Sequence, residues 1–118
     1  MSPSRGHGVA ETMHLTEQSF DEALVATQGL VMIDFWAKWC GPCRAIAPVL
    51  EELAEASEGR VTLVKVNVDE NPGLAARYDV RSIPTILLVK QGMVVERVVG
   101  AVPKAVLQDI VRAQASSQ

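Results

Sequence analysis

The chain has 118 residues, a mass of 12.7 kDa and a net charge of -3, room for one domain and hardly for two. Its 48 % hydrophobic and 21 % charged residues exclude wholesale disorder, and a chain this long buries about two-thirds of its unfolded surface, so its core needs no metal or disulfide staple. Scattered basic residues leave no footprint for nucleic acid, and Asp34, Lys65, Asp69 and Arg97 interrupt the apolar runs well before the ~20 residues of a membrane helix.

Residues 1–12 are small, polar and glycine-containing, which predicts a flexible N-terminal tail ahead of a domain over 13–118. They hold no apolar segment of a secretory signal, so a cytoplasmic location is expected. Met13–Leu15 is a candidate short strand. Ser19 and Glu22 form a capping box that opens a helix through about Thr27, which Gly29 stops. Leu30 to Trp36 is nearly continuously apolar, as a strand buried on both faces is. A helix follows from the cysteine pair to about Ser57, with Ile46, Val49, Leu50 and Leu53 as its apolar stripe and Gly59 as its stop. Pro48 lacks an N–H and is expected to kink it.

Val61 to Asp69 reads as the next strand, and Pro72 starts a helix to about Tyr78. Thr85–Lys90 is a third buried strand, and Gln91-Gly92 is a turn short enough to force an antiparallel hairpin with Met93–Val99, an edge strand carrying Glu96 and Arg97. Gly100 and Pro103 introduce a last helix with Val106, Leu107, Ile110 and Val111 inward. The order β-α-β-α-β-α-β-β-α predicts an α/β domain: a central mixed five-stranded sheet flanked by four helices. Right-handed crossovers place the cysteine segment at the carboxyl end of a central strand, where open α/β sheets hold their sites.

Cys40 and Cys43 are the only cysteines. In a reducing compartment so close a pair is catalytic or metal-binding before it is structural. A structural zinc wants four ligands, and beyond the pair only His7 and His14 are on offer. Opening a helix, Cys-x-x-Cys puts both sulfurs on one side of the first turn. Unpaired N–H groups and the helix dipole there favour a thiolate at Cys40, while Cys43, inside the helix, is more shielded.

Asp34-Phe-Trp-Ala-Lys-Trp39-Cys40-Gly-Pro-Cys43, then Pro48, Lys65, Ile83-Pro84-Thr85, Gly92 and Gly100, resemble the thioredoxin family from about Leu15 to Val111, with element order and spacing intact. The resemblance implies a protein-disulfide reductase with no bound cofactor, in which Cys40 is the nucleophile and Cys43 the resolving thiol. It implies reduction by an NADPH-dependent flavoprotein reductase, disulfide-containing client proteins, and a monomer that binds neither nucleic acid nor membrane. Asp34 and Lys65 are charged exceptions inside apolar strands. Burial raises the Asp34 pKa and Lys65 partly opposes the rise; by resemblance Asp34 takes the proton from Cys43, where the bland alternative is a buried ion pair.

The resemblance also implies a cis Ile83–Pro84 bond beside the disulfide, with backbone that binds a client like an added strand. Trp39, Gly41, Pro42, Val68, Ile83, Pro84, Gly100 and Ala101 match the family's apolar docking surface. Taken singly, each is as well explained by packing or turn geometry. Ser82 and Val89 depart from the glycine and phenylalanine frequent at their places and are expected to retune client preference. Phe20, Phe35 and Trp36 read as core; Lys38 and Arg44 flank the motif and either help hold the thiolate or are solvated charges beside it, the second being the plainer reading. Two rival functions stay open: an oxidant or isomerase, whose motif usually has histidine between the cysteines rather than Gly41-Pro42, and a non-catalytic binding module, which often lacks a cysteine.

Overall fold

The computed structural model describes residues 12–116, built from β1 (Thr12–His14), α1 (Phe20–Ala26), β2 (Leu30–Trp36), α2 (Gly41–Ala56), β3 (Val61–Asn67), α3 (Pro72–Arg77), β4 (Thr85–Lys90), β5 (Met93–Val99) and α4 (Lys104–Ser116). The element order is the expected one. Of the expected tail only Thr12 is among the described residues, and it already belongs to β1; residues 1–11 lie outside them.

One sheet runs β1-β3-β2-β4-β5. β1, β3 and β2 are mutually parallel, β4 is antiparallel to β2, and β5 is antiparallel to β4. Connection lengths explain the mixture: β2 and β3 are parallel because α2 crosses between them, whereas two residues join β4 to β5 and permit only a hairpin. Gln91 and Gly92 both take positive φ, 51° and 80°, as a type I′ turn requires.

Alternation along β2 divides the core. Leu30 and Met32 face α2 and α4, packing with Ile46, Leu50, Leu53, Leu63, Leu107 and Val111. Val31, Ile33 and Phe35 face α1 and α3, packing with Phe20, Val64, Val66, Leu74 and Leu87. By the same alternation Asp34 shares the α2 face with Leu30 and Met32, and this places a carboxyl behind the start of α2.

Several local expectations are corrected. Ser19 is the N-cap of α1, but its side chain makes no capping bond; its Oγ accepts from the Thr16 N–H at 3.1 Å, back in the preceding loop. Val106 is 46 % exposed, because only Leu107 and Val111 of the last helix reach the sheet fully and Ile110 does so in part. β3 ends at Asn67, two residues early, where the Asn67 side-chain oxygen takes the N–H groups of Asp69 and Glu70 into a turn. A register shift at Leu88/Val89, with no signal in the sequence, bulges the edge hairpin.

Candidate active site

The Cys40–Cys43 pair is closed as a disulfide, with Cα atoms 5.3 Å apart. Cys40 is the N-cap of α2 in extended backbone, and its Sγ accepts the Cys43 N–H at 3.2 Å. One orphan donor of the first turn is therefore aimed at the sulfur expected to carry charge on reduction. Both cysteines are buried, Cys40 at 4 % exposure and Cys43 at 2 %, in a small cluster with Ala37, Trp36, Val68 and Ile83. The expected difference in shielding is thus slight in the oxidised state.

Asp34 and Lys65 are register partners on parallel β2 and β3. The Asp34 carboxyl is fully buried, and the Lys65 Nζ lies 3.7 Å from its Oδ2. Neither carboxyl oxygen has a hydrogen-bond partner among the described residues. At this distance the ammonium attracts by charge without making a full hydrogen bond. Burial therefore dominates and pushes the Asp34 pKa up to about 6, against the Lys65 attraction and with a smaller upward push from Glu51. Lys65 also lies 5.3 Å from the centroid of the Trp36 ring. Trp36 is half-buried at the site and not core, and its indole N–H has no partner among the described residues.

The peptide bond Ile83–Pro84 is cis. The Ile83 carbonyl oxygen stands 3.8 Å from the Cys40 Sγ, and the Pro84 carbonyl accepts the Gly100 N–H at 2.8 Å. Gly100 holds φ at 94°, which glycine alone adopts freely. That bond joins the β5–α4 connection to the cis-proline segment. Trp39, 68 % exposed, donates its indole N–H to Asp69 Oδ2 at 2.9 Å and walls a cleft of about 390 Å³ with Val68, Ala75, Val80, Arg81, Ser82 and Ile83. Gly41, Pro42 and Ala101 are exposed nearby in sequence, with no contact that fixes a role. Ser82 lines the cleft, whereas Val89 is 2 % exposed in the core beneath α1 and α3 and cannot touch a client.

One side chain at the site, Asp69, is not predicted by the sequence pattern; its one available signal is an acid just past a central strand's carboxyl end at the level of the cysteines. Arg44, beside the motif, is exposed and donates from its Nη1 to the Lys38 carbonyl at 2.6 Å. Among the described residues no three His, Cys, Asp or Glu gather to hold a metal, and no helix is long and apolar enough to cross a membrane.

The thioredoxin family model matches residues 11–113. The chain is 50 % identical over 93 residues to thioredoxin 1 of a Nostoc species, covering 79 % of this chain and 87 % of that protein. It is 48 % identical over 99 residues to a Synechocystis thioredoxin, covering 84 % of this chain and 92 % of that one. A solved structure of a mutant thioredoxin from Halobacterium salinarum superposes with a TM-score of 0.81 at 36 % identity, covering 92 % of this chain and 94 % of that one.

Proposed function

We infer the roles of individual residues from the premise that this chain belongs to the thioredoxin family and is a protein-disulfide reductase, a thiol-disulfide oxidoreductase. The observation that carries the reading is the redox pair at the start of α2 with, in the core behind it, an Asp34 carboxyl that faces the Lys65 ammonium but has no hydrogen-bond partner among the described residues. In the reduced protein the Cys40 thiolate attacks one sulfur of a client disulfide. A Cys40–client disulfide forms, and the first client thiolate leaves. Asp34 takes the proton of Cys43, and the new thiolate attacks the Cys40 sulfur. The second client thiolate leaves and takes up a proton. Two electrons have passed to the client, and the Cys40–Cys43 disulfide is the form described above.

With a pKa near 6, Asp34 is ionised at neutral pH yet basic enough to accept a proton, which suits it as a general base. Lys65 keeps that carboxyl from rising further and is assigned a tuning role. The client docks on Trp39, Gly41, Pro42, Val68, Ile83, Pro84, Gly100 and Ala101. A Cβ added at Gly41 would meet nothing within 4 Å, so no contact inside the chain demands glycine there and the position is open to a client's backbone. The pair works without a further cofactor, and the oxidised form is returned to the dithiol by an NADPH-dependent flavoprotein reductase. A dithiol that must stay reduced fits a reducing compartment, which supports the cytoplasm, and the protein acts as a monomer whose redox domain begins with β1 at Thr12 rather than at residue 13.

The test is reduction of a protein with accessible disulfides, driven by a chemical dithiol. Cys40→Ser abolishes turnover, whereas Cys43→Ser accumulates a covalent adduct through Cys40. Full turnover by Cys40→Ser would refute the assignment, and an adduct through Cys43 in its place would reverse the two roles.

A further inference from the structure

Asn71 is one of three buried polar or charged residues among the described ones, with Asp34 and Thr85, and the redox chemistry does not use it. It stands at the N-cap of α3, where an asparagine ordinarily bonds the first N–H groups of the helix, yet its side chain makes no capping bond. Its Oδ1 instead accepts the Glu17 backbone N–H at 3.1 Å, across 54 residues of chain, and its Nδ2 donates to the Asn67 carbonyl at 3.1 Å. Glu17 supplies the missing cap, its Oε2 accepting the Gly73 N–H at 2.5 Å. From Asn71 the bonds run on toward the redox pair. Its own N–H also meets the Asn67 carbonyl, at 3.0 Å, and the Asn67 Oδ1 takes the N–H groups of Asp69 and Glu70 at 2.9 and 3.3 Å. Asp69 in turn holds the Trp39 indole at 2.9 Å.

We propose that Asn71 is a positioning residue for client docking: by stapling the β3–α3 turn to the loop between β1 and α1 it sets the place of Asp69 and, through it, of the Trp39 indole. The proposal rests on the docking role given above to Trp39. An indole has a single N–H, and that of Trp39 is spent on Asp69, so the exposed ring takes its orientation from that carboxylate. Asp69 is itself exposed, in a turn whose other bonds to Asn67 are local. A buried amide bonded to two separate segments removes the freedom such a turn would have, because breaking either bond leaves a polar group without its partner. Val68 of the same turn and Ala75 of α3 line the cleft beside Trp39, so the staple bears on the cleft wall as well as on the ring.

The experiment compares Asn71→Ala, Asp69→Ala and the double variant in the full chain. Each reduces a disulfide-bearing protein and hydroxyethyl disulfide, a substrate too small to use the docking surface. The Trp39 indole N–H is followed by proton NMR, and denaturant midpoints are recorded. Asn71→Ala raises KM for the protein about two- to tenfold, changes kcat and the small-disulfide rate by less than about twofold, and moves the indole signal toward its position in Asp69→Ala. In the Asp69→Ala background the same substitution adds little to KM, because its effect passes through that carboxylate. Where Asn71→Ala folds poorly, Asn71→Asp keeps the acceptor for the Glu17 N–H and loses the donor to Asn67, and KM and the indole signal move the same way by less. An unmoved indole signal in a folded Asn71 variant overturns the proposal, as does a KM increase as large without Asp69 as with it. A lowered denaturant midpoint with KM and indole signal at parental values assigns Asn71 to folding alone and overturns it too. If the parent reduces neither disulfide, the redox reading itself fails, and the indole signal still decides whether Asn71 holds Trp39 in place.

Discussion

Asp34→Asn stabilises the folded protein above pH 6 and slows it as a reductant. The Asp34 carboxyl is fully buried, and its two oxygens lack hydrogen-bond partners among the described residues; burial raises its pKa from 3.8 to about 6. At ~1.36 kcal/mol per unit that rise is worth about 3 kcal/mol. The sign follows from proton counts. Between pH 4 and 6 the unfolded chain has released the proton that the folded chain keeps, so wild-type stability falls as pH rises through this window and stays lowered above it. Asparagine has the shape of the protonated acid and carries no charge to bury. Its advantage over aspartate is therefore near zero below pH 4 and grows to about 3 kcal/mol above pH 6. Urea unfolding of the oxidised proteins at pH 3.5, 5 and 7.5 measures it. Equal stabilities at pH 7.5, or an advantage that does not change with pH, would refute the argument. The same variant separates stability from function: alkylation of Cys40 stays largely intact while release of the client from the mixed disulfide slows.

Lys65→Met removes the cation that restrains Asp34, so the carboxyl pKa rises above its present value and the pH profile of mixed-disulfide resolution moves to higher pH; a profile that stays put would remove Lys65 from the site. Asp69→Ala frees the Trp39 indole, raising KM for protein clients with a smaller change in kcat, and steady-state kinetics on a disulfide-bearing protein measure the split. Gly29→Ala places a Cβ 2.9 Å from the Arg60 carbonyl oxygen at φ 81°, so the fold loses on the order of 1–3 kcal/mol in denaturant unfolding with the redox chemistry unchanged. Leu107→Ala, which empties a fully buried position between α4 and the sheet, lowers stability by ~2–5 kcal/mol, read from the same unfolding curves.

Strands buried on both faces are the most legible part of the sequence. Leu30–Trp36 and Thr85–Lys90 are bounded to the residue, because an uninterrupted apolar run has one physical solution when turn residues close it at both ends. The pairing of Asp34 with Lys65 is legible for the same reason: a charge in such a run needs a partner on the next strand. Side-chain direction at the surface is not. Ser19 has the spacing of a capping box but turns its hydroxyl to the Thr16 N–H, a local alternative to capping that the same side chain offers. The place of Asp69 is hidden because its partner, an indole N–H, carries no pattern in sequence, whereas Arg44 is marked by its position beside the motif and only its bond to the Lys38 carbonyl is not. The cis state of Ile83–Pro84 follows from family resemblance alone, since any X-Pro bond reads the same by composition.

The most direct test of the account is the reduction potential of the Cys40/Cys43 pair, measured by equilibration with graded thiol–disulfide buffers. The account predicts a value near the roughly -270 mV characteristic of thioredoxin, too low for the glutathione pool to reduce the disulfide freely. A value between about -180 and -120 mV, the range of isomerases and strong oxidants, would contradict it: the pair would be redox-active, with electrons flowing the other way.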